Sequence, residues 1–157
     1  MRRIDHKRAN LTIITPARVI EIILNGLEPT PSSMEPALRA QFSAFQTAAA
    51  AEGLTPYRTE WRIFDDIRRL CGTVDAIYRR NDGKYVLIDW KRSNCDHSRK
   101  SPNMRAPLAQ YADNKLCRWS LQLNLYKTIL ETYYGISIAE MRLVFFHPRR
   151  STTKGRP

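Results

Sequence analysis

Hydrophobic positions recur with two periods, and the change between them divides the chain. The early part follows a helical period. Thr15-Pro16 is a helix-start pair, an N-cap residue followed by proline at the first helical position. Val19, Ile20, Ile22, Ile23, Leu24 and Leu27 follow, and Asn25-Gly26 supplies a stop. Residues 27–33 are rich in proline and serine and read as a loop. Ser33 can cap a second helix running through Ala50, with Leu38, Phe42 and Phe45 at spacings of four and three. The alanines at 48–51 favour that helix, and Gly53 ends it.

The period then falls to two. In residues 58–64 Trp61 and Ile63 share one side, and Glu60, Arg62 and Phe64 share the other. A second strand over 70–78 is expected to place Val74, Ala76 and Tyr78 on one face and Thr73, Asp75 and Ile77 on the other. The Asp82-Gly83 pair within residues 79–84 marks a tight hairpin. Residues 85–90 (YVLIDW) are nearly all apolar, which predicts a central strand buried on both faces.

Residues 92–116 are polar and read as a long flexible surface loop, a type of segment that often carries function. A helix over 118–134, closed by Gly135, is expected to bury Leu121, Leu125 and Ile129. Residues 141–146 form the last predicted strand. The expected organisation is a loosely held segment 1–14, a domain over 15–148 and a basic disordered tail 149–157. The order α-α-β-β-β-α-β predicts an α/β fold, a small central mixed β-sheet flanked by helices.

Composition narrows the class. At 157 residues and 43% hydrophobic, the chain has the length and apolar content for one folded core. No apolar run reaches the ~20 residues of a membrane span, and the charged start lacks the pattern of a secretory signal. Cys71, Cys95 and Cys117 are unevenly spaced and form no disulfide framework or metal motif, so a soluble intracellular setting is expected. The net charge is +11, with 19 arginines against 7 lysines. Arginine's fork suits phosphate, so nucleic acid is the first candidate partner; a merely soluble basic protein is the plain alternative.

The chemistry centres on Gly72-Thr73-Val74-Asp75 and Ile88-Asp89-Trp90-Lys91. Asp89 and Lys91 lie two apart on a strand and share a face. Pairing about the hairpin turn brings Asp75 beside Asp89 or Trp90. Two carboxylates can hold a hard divalent cation, and a neighbouring lysine can orient or deprotonate water or stabilise developing charge. An acid-x-Lys triplet is weak evidence alone, because composition predicts about two-thirds of one by chance. Four occur, but only Asp89-Trp90-Lys91 follows a buried strand and has an upstream strand acid to pair with. The competing reading is a salt bridge at the end of a hairpin. One lysine does not neutralise two desolvated carboxylates, which favours a cation. Glu60 is either a further metal ligand or an arginine's partner. Gln122 and Tyr126, four apart, share a helix face and suit nucleic-acid contact or a plain surface pair.

Taken in order, Glu60, Gly72-x-x-Asp75, Ile88-Asp89-x-Lys91 and Gln122-x-x-x-Tyr126 resemble the PD-(D/E)XK nuclease superfamily, and more narrowly its RecB-like exonuclease branch. The resemblance spans about residues 57–148. It implies a restriction-endonuclease-like core and a Mg²⁺- or Mn²⁺-dependent DNA nuclease. Asp75, Asp89, the Trp90 carbonyl and Glu60 would bind metal, and Lys91 would serve the water. Gln122, Tyr126 and Arg92 would contact DNA, single- or double-stranded. One position departs: where that branch carries a helix histidine, this chain has Ala17, and His6 lies too far upstream to replace it. The expected activity is phosphodiester hydrolysis in DNA repair, recombination or replication-linked processing, wherever DNA is handled (nucleus, cytoplasm or a viral replication site), and the missing histidine points to a weakened enzyme. Partner proteins of a DNA-processing complex fit the same expectation. The alternatives are a catalytically impaired relative that only binds nucleic acid, and a basic protein-interaction module.

Overall fold

The computed structural model describes residues 36–93 and 101–147, and every structural statement below concerns these residues. The predicted helix over 15–26, the N-terminal segment, the basic tail and Ser33 lie outside them. Six elements follow in order: α1 (Pro36–Ala51), β1 (Thr55–Asp65), β2 (Leu70–Arg79), β3 (Tyr85–Arg92), α2 (Lys115–Tyr133) and β4 (Ile138–Phe146). The strands form a four-stranded sheet in the order β1-β2-β3-β4. The first three run antiparallel, and β4 joins β3 in parallel. A parallel neighbour needs a crossover, and α2 provides it. This is the expected mixed α/β architecture.

Each helix covers one face of the sheet. Leu38, Phe42 and Ala49 of α1 are buried with Tyr78, Ile88, Trp90 and Phe146. Rings dominate this layer, with Phe45 standing edge-on to Trp90 at 5.0 Å between centroids. The α1 helix stops at Gly53, whose φ of +71° takes the chain into the left-handed region. On the opposite face, Leu123, Tyr126, Ile129 and Leu130 of α2 pack on Ile63, Val74, Ile77 and Leu87. The central strand β3 is buried from Val86 to Trp90, as its continuous apolar sequence predicts.

Local expectations need correction at three places in the fold: α2, the polar loop and β2. Helix α2 begins at Lys115 because Asn114 caps it, accepting a hydrogen bond from the Cys117 N–H at 2.9 Å. Its buried stripe runs through Leu123, Tyr126 and Leu130 rather than Leu121 and Leu125, and Leu125 is 38% exposed. Two apolar stripes at helical spacing competed, and the one carrying the large tyrosine ring took the core. The described part of the polar loop is also not structureless. Residues 103 and 112 form a bridge, and Met104 N–H donates to the Tyr111 carbonyl at 2.8 Å.

The third correction concerns β2. Val74 and Ile77 both face α2, whereas Ala76 and Tyr78 face α1, so the strict alternation breaks at Asp75. Glu60 lies opposite this break. Register partners are Thr59 with Ala76 and Trp61 with Val74, and Glu60 between them has φ +45°, the left-handed region. One residue turned this way rotates the strand and releases its neighbour from the pleat.

The ladders differ in length, and this creates the feature on which the site is built. Between β2 and β3 the pairing runs only from Arg79–Tyr85 to Ala76–Ile88. Between β1 and β2 it continues to Asp65–Leu70. The sheet therefore forks just past Ala76 and Ile88, and Asp75 and Asp89 are the next residues on the two prongs.

Candidate active site

At the fork, side-chain bonding takes over from the ladder. Asp75 Oδ2 accepts a hydrogen bond from the Trp90 backbone N–H at 2.8 Å, bridging the prongs. Asp89 is 4% exposed and points to the α2 face with Leu87 and Lys91, two residues away on either side. Lys91 Nζ approaches Asp89 Oδ2 to 2.5 Å. Among the described residues that buried oxygen has no partner besides the Lys91 ammonium. Proximity here makes an ion pair but does not satisfy the oxygen's lone pairs.

Burial pushes the Asp75 carboxyl up to about 6. The Trp90 N–H and the Lys91 charge oppose the rise, while the negative charges of Asp89 and Glu60 add to it. Burial also raises Asp89, against the pull of Lys91. Both acids are held in an environment that disfavours their charge, with one ammonium to answer two carboxylates.

The sequence candidates fare unequally. Asp75, Asp89 and Lys91 come together. The side chain of Trp90 is committed to the aromatic core with Phe42, Phe45 and Phe146, so only its backbone is available at the fork. Glu60 stands close enough to act on Asp75 electrostatically, but among the described residues no three His, Cys, Asp or Glu side chains converge on one point. Arg92 is exposed at the end of β3.

Gln122 Nε2 donates to Tyr126 Oη at 2.9 Å. The tyrosine ring is 8% exposed and lies over Gly72, where an added Cβ would overlap its Cε1, Cζ and Oη atoms. A buried ring in this position offers no open face for stacking a base. It props the β2 prong against α2 instead, and glycine at 72 is what admits it. The sequence reading missed Trp119, whose ring lies 5.5 Å from Lys91 Nζ. No motif flags it; its only signal is one helical turn's spacing from Gln122 and Leu123.

The fork fits a divalent cation. Two oxygen-bearing side chains in negative excess, one with a buried oxygen partnered by the Lys91 ammonium alone, form a hard donor set with an unmet electrostatic need. Concavities of about 480 Å³ at Glu52, Arg80 and Arg142, and about 360 Å³ at Phe64, Ile67 and Tyr134, include none of Asp75, Asp89 and Lys91.

A model of the PD-(D/E)XK nuclease superfamily matches residues 24–157. The chain belongs to this superfamily. Asp75 and the Asp89-Trp90-Lys91 triplet both fall within the matched range. PD-(D/E)XK nucleases generally use divalent metal ions, in keeping with the donor set. A repair endonuclease from Pyrococcus abyssi of known crystal structure is similar, with a TM-score of 0.38 and 19% identity. The match covers 73% of this chain and 38% of that one, so this chain spans well under half of the endonuclease's length. No curated protein matches the chain.

Proposed function

We propose that this superfamily member is a Mg²⁺- or Mn²⁺-dependent deoxyribonuclease that hydrolyses phosphodiester bonds during DNA repair, recombination or replication-linked processing. The observation that carries the reading is the gathering of Asp75, Asp89 and Lys91 at the fork, with two buried carboxylates facing one ammonium.

Asp75 and Asp89 would hold the cation, with the Trp90 carbonyl as a further oxygen. The bound ion would supply charge neutralisation for the phosphate and a lower pKa for water. The Trp90 N–H fixes one oxygen of Asp75, leaving the other free to bind. Lys91, held at Asp89 and 18% exposed, would orient the attacking water and stabilise charge on the phosphate. Gln122 and Arg92 would contact the DNA, and Tyr126 would shape the site from beneath. Exposed arginines elsewhere add attraction for the backbone.

Incubation with linear and circular, single- and double-stranded DNA tests this directly. Cleavage that requires Mg²⁺ or Mn²⁺ and falls at least ~100-fold in Asp89→Ala and Lys91→Ala is expected, the scale of removing a group that stabilises charge in the transition state. A second reading rests on Ala17, which stands where the RecB-like branch carries histidine. It predicts salt-sensitive DNA binding with no cleavage in either metal.

A further inference from the structure

We propose that Trp119 is a positioning residue for Lys91, holding the ammonium at the fork when a cation takes up the charge of Asp89. The proposal rests on the nuclease reading above and deepens it.

Three observations support it. Lys91 Nζ lies 5.5 Å from the centroid of the Trp119 ring, within the range of a cation–π contact. Phe145, the register partner of Lys91 on β4, stands beside it on the same face of the sheet. The Trp119 and Phe145 rings lie 5.8 Å apart at an angle of 55°, so the indole is itself braced. The Lys91 side chain thus has a carboxylate on one side and an aromatic wall on the other.

The need for the wall follows from charge. In the absence of metal, Asp89 alone attracts Lys91. Once the carboxylates are engaged by a dication, that attraction weakens and the dication repels the ammonium. A flexible lysine stem would then swing towards solvent, and its freedom would dilute any contact with the water or phosphate. A second carboxylate at the wall would hold the lysine but would compete for the cation. A neutral π-face attracts the ammonium without binding a hard metal ion. Indole does this better than the smaller rings.

The test joins NMR to kinetics. In protein labelled with ¹³C-lysine, ring current from Trp119 should shift one ε-CH₂ signal upfield. That signal should vanish in K91M, collapse to the ordinary lysine position in W119L, and persist in part in W119F. It should also survive saturating Mg²⁺. With DNA as substrate, W119L should lower kcat about tenfold, the order of a desolvated cation–π contact, with KM changed by less than about twofold. W119F should restore most of kcat, and its retained ring guards against a fold defect. Wild-type cleavage without a shifted signal, an unchanged kcat in W119L, or a change confined to KM overturns the proposal while leaving the nuclease reading intact. A shifted signal in a wild-type protein that cuts no DNA overturns the nuclease reading and, with it, the positioning role in catalysis.

Discussion

Asp75 has the most telling environment of any single residue. Its carboxyl is raised from 3.8 to about 6, first by burial and then by the neighbouring acids. A carboxyl whose pKa is higher in the folded than in the unfolded protein favours folding when protonated. In metal-free protein that stabilisation is complete below about pH 4 and is lost as pH rises through about 6. Thermal unfolding without metal should therefore show stability declining between about pH 4 and 7, by up to ~3 kcal/mol from this residue. Mg²⁺ at pH 7 should restore it, because the ion binds the form that the protein alone disfavours. Asp75→Asn should flatten the metal-free pH profile and abolish the rescue. Gly72 gives a second prediction at this scale. Gly72→Ala drives a methyl into the Tyr126 ring and should destabilise the fold by about 1–3 kcal/mol, measured by denaturant titration. Tyr126→Phe keeps the packing and removes the bond to Gln122, and should cost only about 1 kcal/mol.

At the level of elements, local chemistry explains both what the sequence revealed and what it concealed. The Leu38-Phe42-Phe45 spacing, the Asp82-Gly83 turn and the unbroken apolar run of β3 each had one physical reading, and the structure has each feature. The pairing of Asp75 with the Trp90 backbone was legible because a short turn fixes the hairpin register. The break in alternation at Asp75 was not, because it arises from the backbone of Glu60, a residue whose type does not favour φ +45°. The start of α2 was missed because Asn114 looks like any polar loop residue until its side chain meets the Cys117 N–H. This cap also matters for the site, since it sets the first turns of the helix bearing Trp119 and Gln122. Asn114→Ala should lower stability by about 1 kcal/mol, read from the unfolding midpoint, without altering β3.

The whole chain carries a net charge of +11, whereas the fork itself is acidic. In the proposed nuclease, long-range attraction for a polyanion would coexist with local repulsion at the fork, and a divalent ion would reconcile them. DNA affinity should accordingly fall steeply with salt, by about tenfold or more between 50 and 200 mM if several phosphates are contacted, as followed by fluorescence anisotropy. The fork has a mechanical side as well. Beyond Asp75, the β1–β2 hairpin has no ladder to β3 and is tied down by the end of α2. Tyr134 Oη accepts from the Phe64 N–H at 3.1 Å, the Tyr133 hydroxyl donates to Asp65 at 3.0 Å, and Trp61 stands edge-on to Tyr134. Amides at Trp61 to Phe64 should thus exchange with deuterium sooner than those at Val86 to Ile88. Moderate warming would then let one jaw of the fork fray while the central layer remains intact, and the proposed activity would disappear at a temperature where most of the protein still counts as native.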